Sequence, residues 1–137
     1  LVQSLERVYS QELINIECNI EPGLAFYGEQ RDFLELAGNL LDNACKYGDG
    51  QVRLTAHATD PANPRAGCTL QVEDNGPGIA EQEREQLLKR GVRGDERVDG
   101  HGLGLAIVLE IVSAYNGKIN IGASELGGAR VSVILRP

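Results

Sequence analysis

The sequence predicts a two-layer α/β (α+β) sandwich, with about three helices on one face of a mixed or antiparallel sheet of about five strands. Three observations carry that prediction. A long segment near residues 29–47 sorts its apolar and polar side chains onto opposite sides of a helix. A second helical segment, 102–116, is apolar nearly all round. Short runs between and after them alternate apolar with polar residues, and Gly127-Gly128 joins the last two as a hairpin.

In chain order, Leu1, Leu5, Val8 and Tyr9 give residues 1–12 a helical period. Ile14, Ile16, Cys18 and Ile20 alternate with polar residues and predict a half-buried strand, which Glu21-Pro22-Gly23 breaks. Residues 24–27 read as a short strand. The long helix then runs from about Glu29 to Tyr47, its end marked by Gly48 and Gly50. Val52, Leu54 and Ala56 share one face of the next strand. Two prolines place residues 60–67 in a surface loop between hairpin strands. Cys68, Leu70 and Val72 point inward from the following strand, and residues 79–89 include a short charged helix. Residues 90–101 hold three arginines, three acids and three glycines, with Val92 and Val98 the only large apolar side chains. So little apolar surface predicts a mobile loop. The apolar helix 102–116 is expected to be mostly buried, and residues 118–124 and 129–135 are the last two strands.

A chain of 137 residues is expected to form one domain over 1–137. Apolar residues make up 42%, enough for a core. A net charge of −7 argues against nonspecific nucleic-acid binding, yet leaves room for a local basic pocket. No apolar run approaches the ~20 residues that span a bilayer, and no signal peptide is visible. Cys18, Cys45 and Cys68 lack C-x-x-C spacing and are expected to be buried free thiols in a reducing compartment. The chain opens at Leu1-Val2 without methionine, which suggests an excised piece of a longer protein.

The chemistry concentrates in three places. On the long helix, Glu35, Asn39, Asn43 and Lys46 fall within an arc of roughly 80°, opposite Phe33, Leu36, Ala37, Leu40, Leu41 and Ala44. Asparagine is a mediocre helix former, and its amide oxygen is a hard ligand suited to Mg²⁺ shared with phosphates. A merely solvated polar face is the alternative. Asp74-Asn75-Gly76-Pro77-Gly78-Ile79 follows a strand directly. Its glycines admit a planar ligand and its carboxylate can accept from the exocyclic amine of adenine; an ordinary Asn-Gly turn is the alternative. Gly100-His101-Gly102-Leu103-Gly104 leads into the apolar helix, where free N–H groups and the helix dipole favour phosphate. It is not a dinucleotide fingerprint, and no Walker A or protein-kinase signature occurs. Arg90, Arg93 and Arg97, with Lys46, can balance phosphate charge or simply face solvent. His57 is expected to be exposed or satisfied within the fold; His101 can reach a phosphate or metal.

The order and spacing of these motifs, closed by Gly127-Gly128, resemble the N, G1, G2 and G3 boxes of the histidine-kinase catalytic domain, a branch of the GHKL superfamily, over essentially the whole chain. Residues 28–30, 41–47, 72–74, 90–93 and 127–130 resemble, more narrowly, the PhoQ type of sensor kinase. The resemblance implies a Bergerat ATP-binding fold with Mg-ATP as ligand. It makes Asn43 the main Mg²⁺ ligand, with Asn39 near metal and phosphates and Lys46 and Arg93 on the phosphates. Asp74 binds the adenine amine, Gly76, Gly78 and Ile79 flank the base, and Tyr47 packs near the nucleoside. Gly100, His101, Gly102, Leu103 and Gly104 line the phosphates and hinge a mobile ATP lid over about 90–102. Where GHKL ATPases carry a water-activating glutamate, Asn39 stands instead, and Glu35 is a poorer base. His101 replaces the glutamine of PhoQ-like kinases, and Leu87-Leu88 stands in the region of the family's phenylalanine box.

Neither histidine lies in a phosphoacceptor context, so the dimerisation and phosphoacceptor domain is expected to be absent from this chain. By resemblance, its partners are ATP, that separate domain, and a PhoP-like response regulator. The fragment itself is expected to be soluble, monomeric and unable to phosphorylate itself. The complete protein is expected to be an inner-membrane homodimer with this domain in the cytoplasm. Two alternatives remain: a GHKL serine kinase of the anti-sigma type, and an ATP-responsive interaction module without catalysis.

Overall fold

In a computed structural model, residues 15–22, 24, 28–60, 62–63, 67–93 and 105–136 are described, except for the side chains of residues 47, 87 and 89–93. The expected N-terminal helix and most of the expected strand at 24–27 lie outside the described residues; Leu24 itself is not in a strand. The elements are β1 (Asn15–Ile20), α1 (Gln30–Tyr47), β2 (Gln51–Ala58), β3 (Cys68–Asp74), α2 (Glu81–Arg93), α3 (Leu105–Ala114), β4 (Lys118–Ala123) and β5 (Ala129–Leu135). The five strands form one sheet in the order β1-β2-β3-β5-β4. β1 runs parallel to β2 and every other pair is antiparallel, so the sheet is mixed.

Register follows from the period-2 alternation. Val52, Leu54 and Ala56 of β2 stand opposite Asp74, Val72 and Leu70 of β3. Leu70 and Val72 in turn face Val133 and Val131 of β5. That face packs against Leu36, Leu40 and Leu41 of α1 and Leu105, Val108 and Val112 of α3 in one core cluster. Leu36, Leu41, Val52 and Val108 are fully buried. The predicted apolar stripe of α1 is therefore the stripe that seats it on the sheet.

The ends of α1 and α3 are tied together by one phenol. Tyr115 donates to Asp32 Oδ2 at 2.8 Å and accepts the Glu29 backbone N–H at 2.9 Å. The Glu29 N–H opposes, but the Asp32 hydrogen bond and burial outweigh it, and the Tyr115 pKa is raised.

Four local expectations change. β1 is an edge strand with β2 as its one described neighbour; α1 sits over β2 and β3, and α3 over β4 and β5. Only Ile16 of β1 is buried; Ile20 is 55% exposed and Cys18 is exposed, contrary to the buried thiol expected there. Cys45 and Cys68 are buried as expected, and burial raises the Cys68 thiol pKa. β3, expected to be buried on one face, is buried on nearly both because it is central. On its far face Glu73 lies beneath Arg53, whose Nη1 is 3.4 Å from Glu73 Oε2 and 3.0 Å from Glu125 Oε1, and Arg53 Nε meets Glu17 Oε2 at 2.9 Å. These carboxylates, Glu17 first, raise the Arg53 pKa. Finally, α2 continues through Gly91 to Arg93, so residues 90–93 are helical where a loop was expected. Its packing against α3 outweighs the weak helix propensity of glycine. His57, as expected, is satisfied within the fold, its Nδ1 lying 2.9 Å from the Ala58 carbonyl.

Candidate functional site

β3 ends at Asp74, where the following glycine turn, the β4–β5 hairpin and the end of α1 converge. The carboxylate is buried, with 8% of the residue exposed. Its Oδ1 accepts the Gly76 N–H at 2.9 Å and the Ala129 N–H at 3.3 Å. Among the described residues its Oδ2 accepts no hydrogen bond. Two N–H donors on one oxygen fix the carboxylate plane and leave the other oxygen as an oriented acceptor.

Glycines wall this carboxylate. Gly128 donates its N–H to the Asp74 carbonyl at 3.1 Å. A side chain on Gly128 would place its Cβ 2.6 Å from both the Asp74 carbonyl oxygen and the Gly76 nitrogen, so only glycine fits. Gly78 holds φ +78° and lies against Gly128. Gly48, which ends α1, approaches from the other side: a Cβ there would stand 3.0 Å from the Asp74 Cβ. Ile79 packs on the core, and its carbonyl accepts Arg84 Nε at 2.9 Å, tying the turn to α2.

Because α1 ends on Asp74, its polar row leads to the same place. Lys46 is exposed in the last turn, where a cation suits the helix dipole. Asn43 and Asn39 lie one turn apart and are half-buried; Glu35 is exposed. Asn39 Nδ2 donates to the Glu35 carbonyl at 2.8 Å. Only the NH₂ of an amide can donate to a carbonyl, so this bond leaves Asn39 Oδ1 uncommitted to the helix backbone. Among the described residues no cluster of three His, Cys, Asp or Glu could hold a metal. A divalent cation beside this row would therefore be met by amide oxygens together with a ligand's own phosphates, an arrangement that Mg²⁺ accepts.

The structure thus brings Asp74, Gly76, Gly78 and Ile79 together and sets Asn39, Asn43 and Lys46 on the helix that ends against them. The side chains of Tyr47, Arg90 and Arg93, and residues Arg97, Gly100, His101, Gly102, Leu103 and Gly104, lie outside the described residues. Sequence reasoning gave no site role to Gly48, Asn75, Arg84 or Gly128. For Gly128 the doubled glycine in the last hairpin was the available signal. For Asn75, whose side chain binds the connection between α1 and β2, there was none beyond its place beside Asp74.

Known proteins share this architecture. The chain is 46% identical over 134 residues to the sensor protein PhoQ of Escherichia coli K12, a match covering 98% of this chain and 26% of that protein. It thus spans about a quarter of the length of the curated relatives it matches. The mycobacterial sensor histidine kinase MprB superposes with a TM-score of 0.76 at 30% identity, over 98% of this chain and 90% of the other. The ATP-binding domain of PrrB from Mycobacterium tuberculosis does so with the same TM-score of 0.76 at 26% identity, over 98% and 86%. The expected fold class and the expected resemblance to histidine-kinase domains both hold. With residues 28–137 matching it, from the entry to α1 through the last strand, the chain belongs to the histidine kinase-, DNA gyrase B- and HSP90-like ATPase family.

Proposed function

We propose that this chain is the Mg-ATP-binding catalytic domain of a PhoQ-type sensor histidine kinase, donating the γ-phosphate to a histidine on a separate dimerisation domain. The observation that carries the reading is the Asp74 carboxylate, pinned through Oδ1 by two backbone N–H groups and open at Oδ2 within a cradle of glycines. An acceptor fixed in this way suits an N–H donor on a flat ligand, and the adenine amine is such a donor. Gly76, Gly78 and Ile79 would flank the base, with Tyr47 near the nucleoside.

Magnesium, when bound with the nucleotide, would offset the charge on the phosphates during transfer. Asn43 and Asn39 would hold it through their amide oxygens. Lys46 would draw in the phosphates, with Arg93 at the end of α2 and the stretch Gly100, His101, Gly102, Leu103 and Gly104 completing that side, the latter as part of a mobile lid running from the end of α2 to about residue 102. An amide takes no proton from water at neutral pH, so Asn39 orients without generating hydroxide. That favours transfer to a protein acceptor over hydrolysis. In the complete protein the phosphate would pass onward to a PhoP-like response regulator. That protein would be an inner-membrane homodimer with this domain in the cytoplasm, and the isolated domain a monomer that binds ATP without labelling itself.

Calorimetric titration of Mg-ATP into the domain tests the reading. Asp74→Asn should weaken binding about tenfold or more, the equivalent of a charge-assisted hydrogen bond of ~1.5–3 kcal/mol. Asn43→Ala should abolish the Mg²⁺ dependence. A folded wild-type domain that binds no Mg-ATP would sink the proposal.

A further inference from the structure

Asn75 makes four hydrogen bonds to one short connection. Its backbone N–H donates to the Gln51 carbonyl at 3.2 Å. Its Oδ1 accepts from the Asp49 N–H at 2.9 Å and the Gln51 N–H at 3.0 Å. Its Nδ2 donates to the Asp49 carbonyl at 3.1 Å. The residue before that connection is Gly48, which closes against the Asp74 Cβ. The residue before Asn75 is Asp74 itself. The side chain therefore clamps the exit of α1 onto the strand end that carries the carboxylate, across 26 residues of sequence.

We infer that Asn75 is a positioning residue for nucleobase selection: by holding residues 49–51 it keeps Gly48 behind Asp74 and aims Oδ2 at the base. The inference rests on the reading of Asp74 as the base acceptor. Asn75 acts here without contact with the nucleotide, because both ends of its side chain are engaged on the connection. An amide suits the place better than a carboxylate, since one end meets two N–H groups and the other a carbonyl. Without the clamp, the last turn of α1 and the tip of β3 keep their own backbone bonds but lose the link that sets their spacing. Base discrimination is then lost before phosphate binding, which depends on residues elsewhere on α1.

The test compares dissociation constants for Mg-ATP and Mg-inosine triphosphate, in which a carbonyl replaces the exocyclic amine, by calorimetry on the 137-residue chain. The wild-type domain should prefer ATP by about tenfold or more, the worth of a charge-assisted hydrogen bond. Asn75→Ala should bring the preference within about threefold while leaving the inosine nucleotide's affinity within about twofold. Asn75→Asp, which keeps the acceptor for both N–H groups but sets an oxygen against the Asp49 carbonyl, should keep a preference between those of the wild type and the alanine variant, and serves where the alanine variant folds poorly. A general loss of structure would weaken both nucleotides in proportion. Proportional weakening, an unchanged preference in Asn75→Ala, or an aspartate variant as indiscriminate as alanine would overturn the inference. A wild-type domain that binds both nucleotides equally would instead sink the Asp74 reading, and this inference with it.

Discussion

Replacing Gly128 by alanine probes the junction on which the candidate site depends. The added Cβ would lie 2.6 Å from the Asp74 carbonyl oxygen and from the Gly76 nitrogen, and closer still to Asp74 Oδ1. Two of these atoms are backbone and the third is a carboxylate oxygen held by two N–H groups, so no flexible chain end can yield. Either the β4–β5 hairpin shifts outward or the carboxylate turns and gives up its bonds to Gly76 and Ala129. Overpacking costs about 1–3 kcal/mol, and a lost hydrogen bond to a charged group about 1.5–3 kcal/mol. A loss of about 1–3 kcal/mol by either route lowers Tm by roughly 3–12 °C in a domain of this size. Mg-ATP affinity should fall about tenfold or more with it. The control is Gly122→Ala in β4, whose Cβ would meet only the Arg130 guanidinium, at 3.3 Å. That flexible group can move aside, so the control should stay within about 0.5 kcal/mol of wild type. Thermal melting with calorimetric titration reads both. A Gly128→Ala domain that melts within about 1 °C of wild type and binds Mg-ATP within about twofold would refute the steric argument.

Three further outcomes follow from burial. Leu41 is fully buried between α1 and the sheet, so Leu41→Ala should destabilise by about 2–5 kcal/mol in chemical denaturation. Of the three thiols, Cys18 should react fast with an aromatic disulfide reagent in the native state, while Cys45 and Cys68 react only on unfolding. Burial raises the Cys68 pKa above its ordinary 9.0, so its contribution to stability is complete below about pH 9. Above that the unfolded chain releases the proton and the folded chain keeps it; stability should fall as pH rises, less steeply in Cys68→Ala.

What the sequence revealed and what it hid divide by range. α1 was legible because its two faces are set by helical periodicity alone: Leu36, Leu40 and Leu41 are buried, and Glu35 and Lys46 are exposed. The turn Asp74–Gly78 was legible because its glycines and carboxylate are adjacent in sequence. The alternation in β1 was correct as a strand signal and wrong as a burial signal, because burial depends on which strand ends up at the sheet edge. Glu73 looked solvent-facing by parity, and became buried only when Arg53 and the hairpin residue Ser124 closed over it. The contacts that fix Asp74 join residues as far as 55 positions apart, and no local pattern announces them.

That division has a functional consequence in the proposed reading. The metal-facing amides are arranged by one helix, so they persist as long as α1 is helical. The base-facing carboxylate is arranged by β3, the β4–β5 hairpin and the α1–β2 connection together, so it exists only when the sheet is assembled. Gly48 belongs to both arrangements. Its N–H closes the last helical turn by donating to the Ala44 carbonyl at 2.9 Å, and its Cα backs the Asp74 side chain. No residue larger than glycine fits, since a Cβ would stand 2.5 Å from the Ala44 oxygen as well as 3.0 Å from the Asp74 Cβ. The spacing between the base acceptor and the amide row is therefore limited by the close approach at Gly48, which the Asn75 side chain holds in place through residues 49–51. A nucleotide whose base-to-phosphate reach differs from that spacing cannot be accommodated without unseating either the helix end or the strand end.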